Sequence, residues 1–105
     1  MSFQVVFSDG ARDDLARLYD HLLSRAEYVE DLELAERALD AIFEALGALA
    51  VTPFLFRKVG GPGRTLRREL VVSFGSSGYV LQYEIAGPAQ VVVLAVRHQR
   101  EEDRH

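Results

Sequence analysis

Residues 91–105 read VVVLAVRHQREEDRH. Val91 to Val96 are apolar without interruption, and Arg97, His98, Gln99 and Arg100 follow at once. A short all-apolar run marks a strand buried on both faces. Its β-branched content and the Gly87-Pro88 turn signal before it favour a strand over a helix segment. Such a strand delivers its trailing cations to the rim of a sheet on a rigid support. A functional surface is expected there.

Working back from that strand, Tyr79–Ile85 (YVLQYEI) alternates, with Tyr79, Leu81, Tyr83 and Ile85 on one face. Gly75 to Gly78 reads as a hairpin turn, and Thr65–Phe74 (TLRRELVVSF) as the strand before it. These three strands form an antiparallel meander. Phe54–Arg64 (FLFRKVGGPGR) reads as a loop, because Gly60-Gly61-Pro62-Gly63 holds neither a helix nor an inner strand. It lacks the GxxxxGK[ST] pattern of a phosphate-binding loop, so no nucleotide cofactor is expected.

The first half is helical. Phe3–Phe7 reads as a short strand, ended by Ser8-Asp9-Gly10, where Ser8 or Asp9 can cap a helix. A helix over about 10–25 carries Ala11, Leu15, Leu18, Tyr19, Leu22 and Ala26 on one face. A second helix over about 31–50 carries Leu32, Ala35, Ala38, Leu39, Ile42, Phe43, Leu46 and Leu49, with an acidic outer face, and Pro53 stops it. The fold class is therefore α+β. An N-terminal strand and a two-helix antiparallel hairpin precede the meander (β-α-α-β-β-β), and the helices pack on one face of the sheet. One domain spans residues 1–105.

Composition narrows the chemistry. Residues 1–56 carry four arginines against eleven acids, whereas residues 57–100 carry seven cations against two acids. The second half can thus present a basic patch to an anionic partner. No cysteine is present, which excludes disulfides and thiolate metal sites. The three histidines are far apart in sequence and the acids lack ligand spacing, so no metal is expected. No apolar run reaches the ~20 residues of a membrane helix, and MSFQVVFSD has no basic region leading into an apolar stretch, so no signal peptide is expected.

His98 is the candidate titrating group near neutrality, and Arg68, Arg97 or Arg100 could hold a phosphate. Arg67 and Arg68 alternate across their strand, so at most one faces a given site. His21 falls on the polar face of the first helix and receives no role. Tyr79 and Tyr83 are read as core residues.

The order and spacing of these elements resemble the ParE/RelE superfamily, toxins of bacterial type II toxin–antitoxin modules. FSDGARDDLARLYDHL resembles the family's opening strand and helix, with Ala11 and the Asp14-Leu15 pair. LRREL at 66–70 resembles the start of its second strand, and YVLQYEI its Tyr-x-x-x-Tyr strand at Tyr79 and Tyr83. VVVLAVRHQRE resembles its apolar last strand followed by His98-x-Arg100. The resemblance implies a bacterial cytoplasmic toxin held inactive by a cognate antitoxin. That antitoxin would have a DNA-binding N-terminal part and a C-terminal segment that wraps the toxin, fills an apolar groove beside the helical hairpin and adds a strand. DNA reading would then fall to the antitoxin, since this chain's helices are acidic.

Two branches of the superfamily imply different targets. RelE-like members resemble ribosome-dependent mRNA endoribonucleases, for which His98, Arg100, Arg68 and Lys58 are the matching catalytic candidates, with His105 also near the C-terminus. ParE-like members inhibit DNA gyrase by binding, without catalysis. The ribonuclease branch usually carries a basic residue just after the first Tyr of the third strand, where this chain has Val80. The His-x-Arg ending fits the ParE-like side, which is the favoured reading. Its partner-binding candidates are Arg57, Lys58, Arg64, Arg67, Arg68, Arg97 and Arg100. A family member that only forms a complex, without toxicity, is the third reading.

Overall fold

A computed structural model describes residues 2–59, 66–75 and 77–99. Arg64, Arg100 and His105 lie outside the described residues. Strand β1 (Gln4–Phe7), helices α1 (Asp9–Ser24) and α2 (Val29–Val51), and strands β2 (Arg57–Lys58), β3 (Arg67–Phe74), β4 (Ser77–Ala86) and β5 (Gln90–His98) follow in chain order. The α+β order expected from sequence is present. One correction concerns the segment read wholly as a loop: Arg57 and Lys58 form a short strand paired antiparallel with Glu69 and Arg68.

The sheet order is β1-β5-β4-β3-β2. β1 runs parallel to β5, Val5 opposite Val91 and Phe7 opposite Val93. β3, β4 and β5 form the antiparallel meander. At the turn between β3 and β4, Gly75 takes φ +61°. A Cβ on Gly78 would stand 2.2 Å from the Val72 carbonyl oxygen, so only glycine allows that approach of the strands.

The core lies between the helices and one face of the sheet. Ala11 of α1 and Ala38, Ile42 and Leu49 of α2 meet Val72, Tyr79, Leu81, Tyr83, Val91, Val93 and Val96. The period-two alternation of β4 is thus realised, with its larger residues toward the helices. The opposite face is also protected in the middle of the sheet: Val80, Gln82 and Ala95 are buried. Val92 and Leu94 of the apolar run are half-buried.

Ser8 caps α1 by accepting from the Ala11 N–H at 3.1 Å. Asp31 begins α2 by accepting from the N–H groups of Glu27 and Tyr28, at 2.9 and 3.1 Å. The helices are tied by the Tyr19 hydroxyl, which donates to Glu36 Oε1 at 2.5 Å. That bond to a carboxylate is the main cause raising the Tyr19 pKa above its ordinary value, since ionising the phenol would break it. The apolar stripe of α2 is wider than its buried face. Leu32 and Phe43 remain 46 % and 51 % exposed.

Candidate functional site

β1 stops opposite Val93, so among the described residues no strand lies beside the outer side of β5 beyond that point. α1 takes the strand's place. The Ser8 hydroxyl donates to the Leu94 carbonyl at 3.3 Å, and Asp14 Oδ2 accepts from the Val96 N–H at 3.0 Å. The pairing of β4 with β5 shifts register between Gln82 and Tyr83: Gln82 faces Ala95 and Tyr83 faces Val93. Leu94 is therefore the extra residue of a bulge. It sits where β5 passes from a strand neighbour to a helix neighbour.

Beyond Val96 the helix and strand diverge and leave a cleft of about 550 Å³. Asp14, Arg17, Leu18 and His21 line it from α1, and Val96, Arg97 and His98 from β5. Steps of three and four place the helical residues on one face. The Asp14 carboxylate is engaged on both sides, pairing with Arg17 through Oδ1 and holding Val96 through Oδ2. The His98 ring stands edge-on to Tyr79, centroids 5.6 Å apart at 86°. Burial raises the Tyr79 pKa above its ordinary value, so the phenol stays protonated at neutral pH. His21, which received no role from its place on a polar helix face, thus faces the same space as His98. Nothing in a helical period could have signalled that, because the strand bringing His98 there is distant in sequence.

The other candidates lie elsewhere. Arg68 faces the helix side of the sheet. Its guanidinium donates to the carbonyls of Phe54 at 3.2 Å and Phe56 at 2.7 Å and lies 5.7 Å from the centre of the Phe54 ring. The Tyr83 hydroxyl donates to the Pro53 carbonyl at 2.6 Å. Burial raises the pKa of Tyr83, with nearby Arg68 opposing. These two side chains hold the segment after α2 to the sheet and present Phe54 and Leu55 outward, 62 % and 76 % exposed.

Arg67 points to the opposite face and donates to Gln82 Oε1 at 3.2 Å. Arg57 pairs with Glu69. Lys58 is exposed beside it. From strand order and register, the Cα of Arg68 lies about 16 Å and that of Lys58 about 19 Å from that of His98. Only Arg97 and His98 of the described candidates share the cleft. Among the described residues no group of three potential metal ligands converges, and no helix is long and apolar enough to cross a membrane.

A second, shallower groove of about 380 Å³ runs along β1 at the edge of the sheet, lined by Val5, Val6, Phe7, Arg12, Leu15 and Phe43. Here the partly exposed Phe43 lies beside a strand that, among the described residues, is paired on one side only.

These features agree with a toxin of the ParE/RelE type, and residues 5–103 match the family described as ParE toxin of type II toxin-antitoxin system, parDE. The chain belongs to that family. It is 41 % identical over 91 residues to Toxin RelE3 of Caulobacter vibrioides, covering 87 % of this chain and 88 % of that protein. A solved chain of a chromosomal ParDE TA system from P. aeruginosa has the same fold at 17 % identity, with a TM-score of 0.64 and coverage of 91 % and 95 % of the two chains. Family membership implies a cognate antitoxin as partner.

Proposed function

We propose that residues 1–105 form one ParE-like toxin domain that inhibits DNA gyrase by binding it in the bacterial cytoplasm. A cognate antitoxin neutralises it. The observation carrying this reading is the dispersal of the residues a ribonuclease would need. Cleavage of RNA by its own 2′-hydroxyl calls for a base, a phosphate clamp and an acid within hydrogen-bond reach of one phosphodiester. Lys58 and Arg68 stand on strands distant from His98, and Arg68 is engaged with two backbone carbonyls. Val80, where the nuclease branch carries a cation, is 3 % exposed.

The cations Arg57, Lys58, Arg67 and Arg97, with Arg64 and Arg100 outside the described residues, supply the partner-binding surface in this reading. Phe54 and Leu55 supply apolar anchors beside Arg57 and Lys58. The antitoxin's C-terminal segment lays apolar side chains into the groove at Phe43 and extends the sheet from β1, while its N-terminal part binds DNA.

A second reading has its own support. The 41 % identical relative carries the name RelE3, and two histidines face one cleft. In that reading the chain cuts messenger RNA on the ribosome, with His98 at the centre. A supercoiling reaction with gyrase, run beside a translating-ribosome reaction, separates the two.

A further inference from the structure

We infer that the chain associates head to tail with a second copy of itself, the tip of the helical hairpin of one copy docking on the basal end of the next. The inference does not rest on which target the toxin has. Both ends of α2 present large apolar side chains to solvent. At its start Tyr28 and Val29 are 68 % and 67 % exposed, and Leu32 follows at steps of four and three, on the same face. At its end Val51 is 66 % exposed and the outward-facing Phe54 and Leu55 come next. Leu66, 76 % exposed, stands two residues before Arg68, whose guanidinium lies over the Phe54 ring. Single exposed apolar residues are ordinary, but clusters of this kind mark an interaction surface.

The two ends carry opposite charge. Residues 25–34 hold four acids and one arginine. Glu27, Glu30 and Glu33 are exposed and take no part in the ion pairs among the described residues. At the basal end Arg57 is neutralised by Glu69, but Lys58 is exposed and Arg68 bonds neutral carbonyl oxygens. Neither joins an ion pair among the described residues, so two positive charges remain there. Pairing the basal patch with its own copy about a twofold axis would set Lys58 and Arg68 against like charges. Pairing it with the tip sets them against Glu27, Glu30 and Glu33. Both surfaces are held before they meet, which lowers the cost of ordering them. Asp31 fixes the hairpin turn through the N–H groups of Glu27 and Tyr28, and the bonds of Tyr83 and Arg68 fix the segment that carries Phe54. The 23 residues of α2 separate tip from base by about 33 Å. Two copies joined this way keep a free tip and a free base, so the contact does not close at a dimer. In the gyrase reading, association covers Phe54 and Leu55 and withholds them from the target.

The test is sedimentation velocity of the full chain, free of antitoxin, over a concentration series. The average mass should rise with concentration past that of a dimer, and added salt should reduce the rise. Val29→Lys/Leu32→Lys removes the tip and Leu55→Glu/Leu66→Glu removes the base, all at exposed positions outside the core. Each double variant should stay monomeric alone. When the two are mixed, the intact tip of one should meet the intact base of the other, giving a one-to-one pair and nothing larger. Lys58 is the sole lysine in the sequence, so a carbodiimide, which joins an amine to a carboxylate, checks the wild-type chain without any variant. Links from Lys58 to Glu27, Glu30 or Glu33 are expected between copies, since the length of α2 forbids them within one. A wild-type chain that is monomeric throughout, a tip variant that still dimerises through its base, or a mixture that fails to pair would overturn the inference. So would Lys58 linked to the antitoxin in the co-purified complex with no association of the free chain, which would assign the base to the antitoxin.

Discussion

Asp14 and Val96, 82 positions apart, are joined by a 3.0 Å hydrogen bond from the strand's backbone N–H to the helix's carboxylate. An open strand edge is a template for unwanted pairing. Here a side chain from α1 occupies the place of a neighbouring strand, and the same contact sets one wall of the cleft. Replacing Asp14 with Ala removes the acceptor and should cost about 1–2 kcal/mol. Asp14→Asn retains an acceptor oxygen and should cost less. Hydrogen exchange gives the local check: the Val96 amide should exchange faster in the alanine variant while amides of the β3–β4 ladder change little.

Arg68 closes the segment after α2. Arg68→Ala removes two bonds to carbonyl oxygens and the contact with the Phe54 ring. A loss of about 2–3 kcal/mol is expected in urea unfolding. Lysine has a point charge in place of the planar fork and should recover only part of it. Full stability in Arg68→Ala would mean that the loop is held by its apolar contacts alone.

Alkali should weaken the fold through its tyrosines. The pKa values of Tyr19, Tyr79 and Tyr83 are all raised above the ordinary 10.0. The unfolded chain therefore loses these protons first as pH rises. The stabilisation is complete below about pH 10 and is lost as pH climbs through the folded-state values. Tyr83→Phe should lower stability by about 1–2 kcal/mol at neutral pH, because the bond to the Pro53 carbonyl is gone. It should also flatten the alkaline decline in a series of denaturant midpoints from pH 8 to 11.

The groove beside β1 separates stability from partner binding. Phe43 is half exposed, so Phe43→Glu should change the unfolding free energy by less than about 1 kcal/mol. Capture of the cognate antitoxin by the variant, measured by co-purification and calorimetry, should weaken by about tenfold or more. Unchanged capture would place the antitoxin elsewhere.

How much of this was legible in the sequence follows from what periodicity reports. It assigns residues to faces, and so the buried side of β4, the core of α2 and the sheet character of Val91–Val96 could be read directly. It says nothing of which strands are neighbours. The parallel placement of β1 against β5 was therefore not derivable, nor was the open edge that Asp14 covers. The β2 strand escaped because two charged residues, Arg57 and Lys58, have no apolar pattern. Their pairing depends on β3 supplying a ladder. His98 was found as a candidate from its place after a buried strand, whereas His21 gave no such signal. Only the packing of α1 on β5 brings it to the cleft.

The central claim is tested most directly by incubating the purified chain with gyrase, relaxed DNA and ATP, beside a translating-ribosome reaction read for message cleavage. Loss of supercoiling or accumulation of cleaved DNA, with the message intact, is the predicted result. Message cut within ribosomes while gyrase works at full rate would contradict the ParE-like account and establish the ribonuclease reading. A chain that affects neither reaction yet still binds its antitoxin would contradict both and leave a family member that only forms a complex.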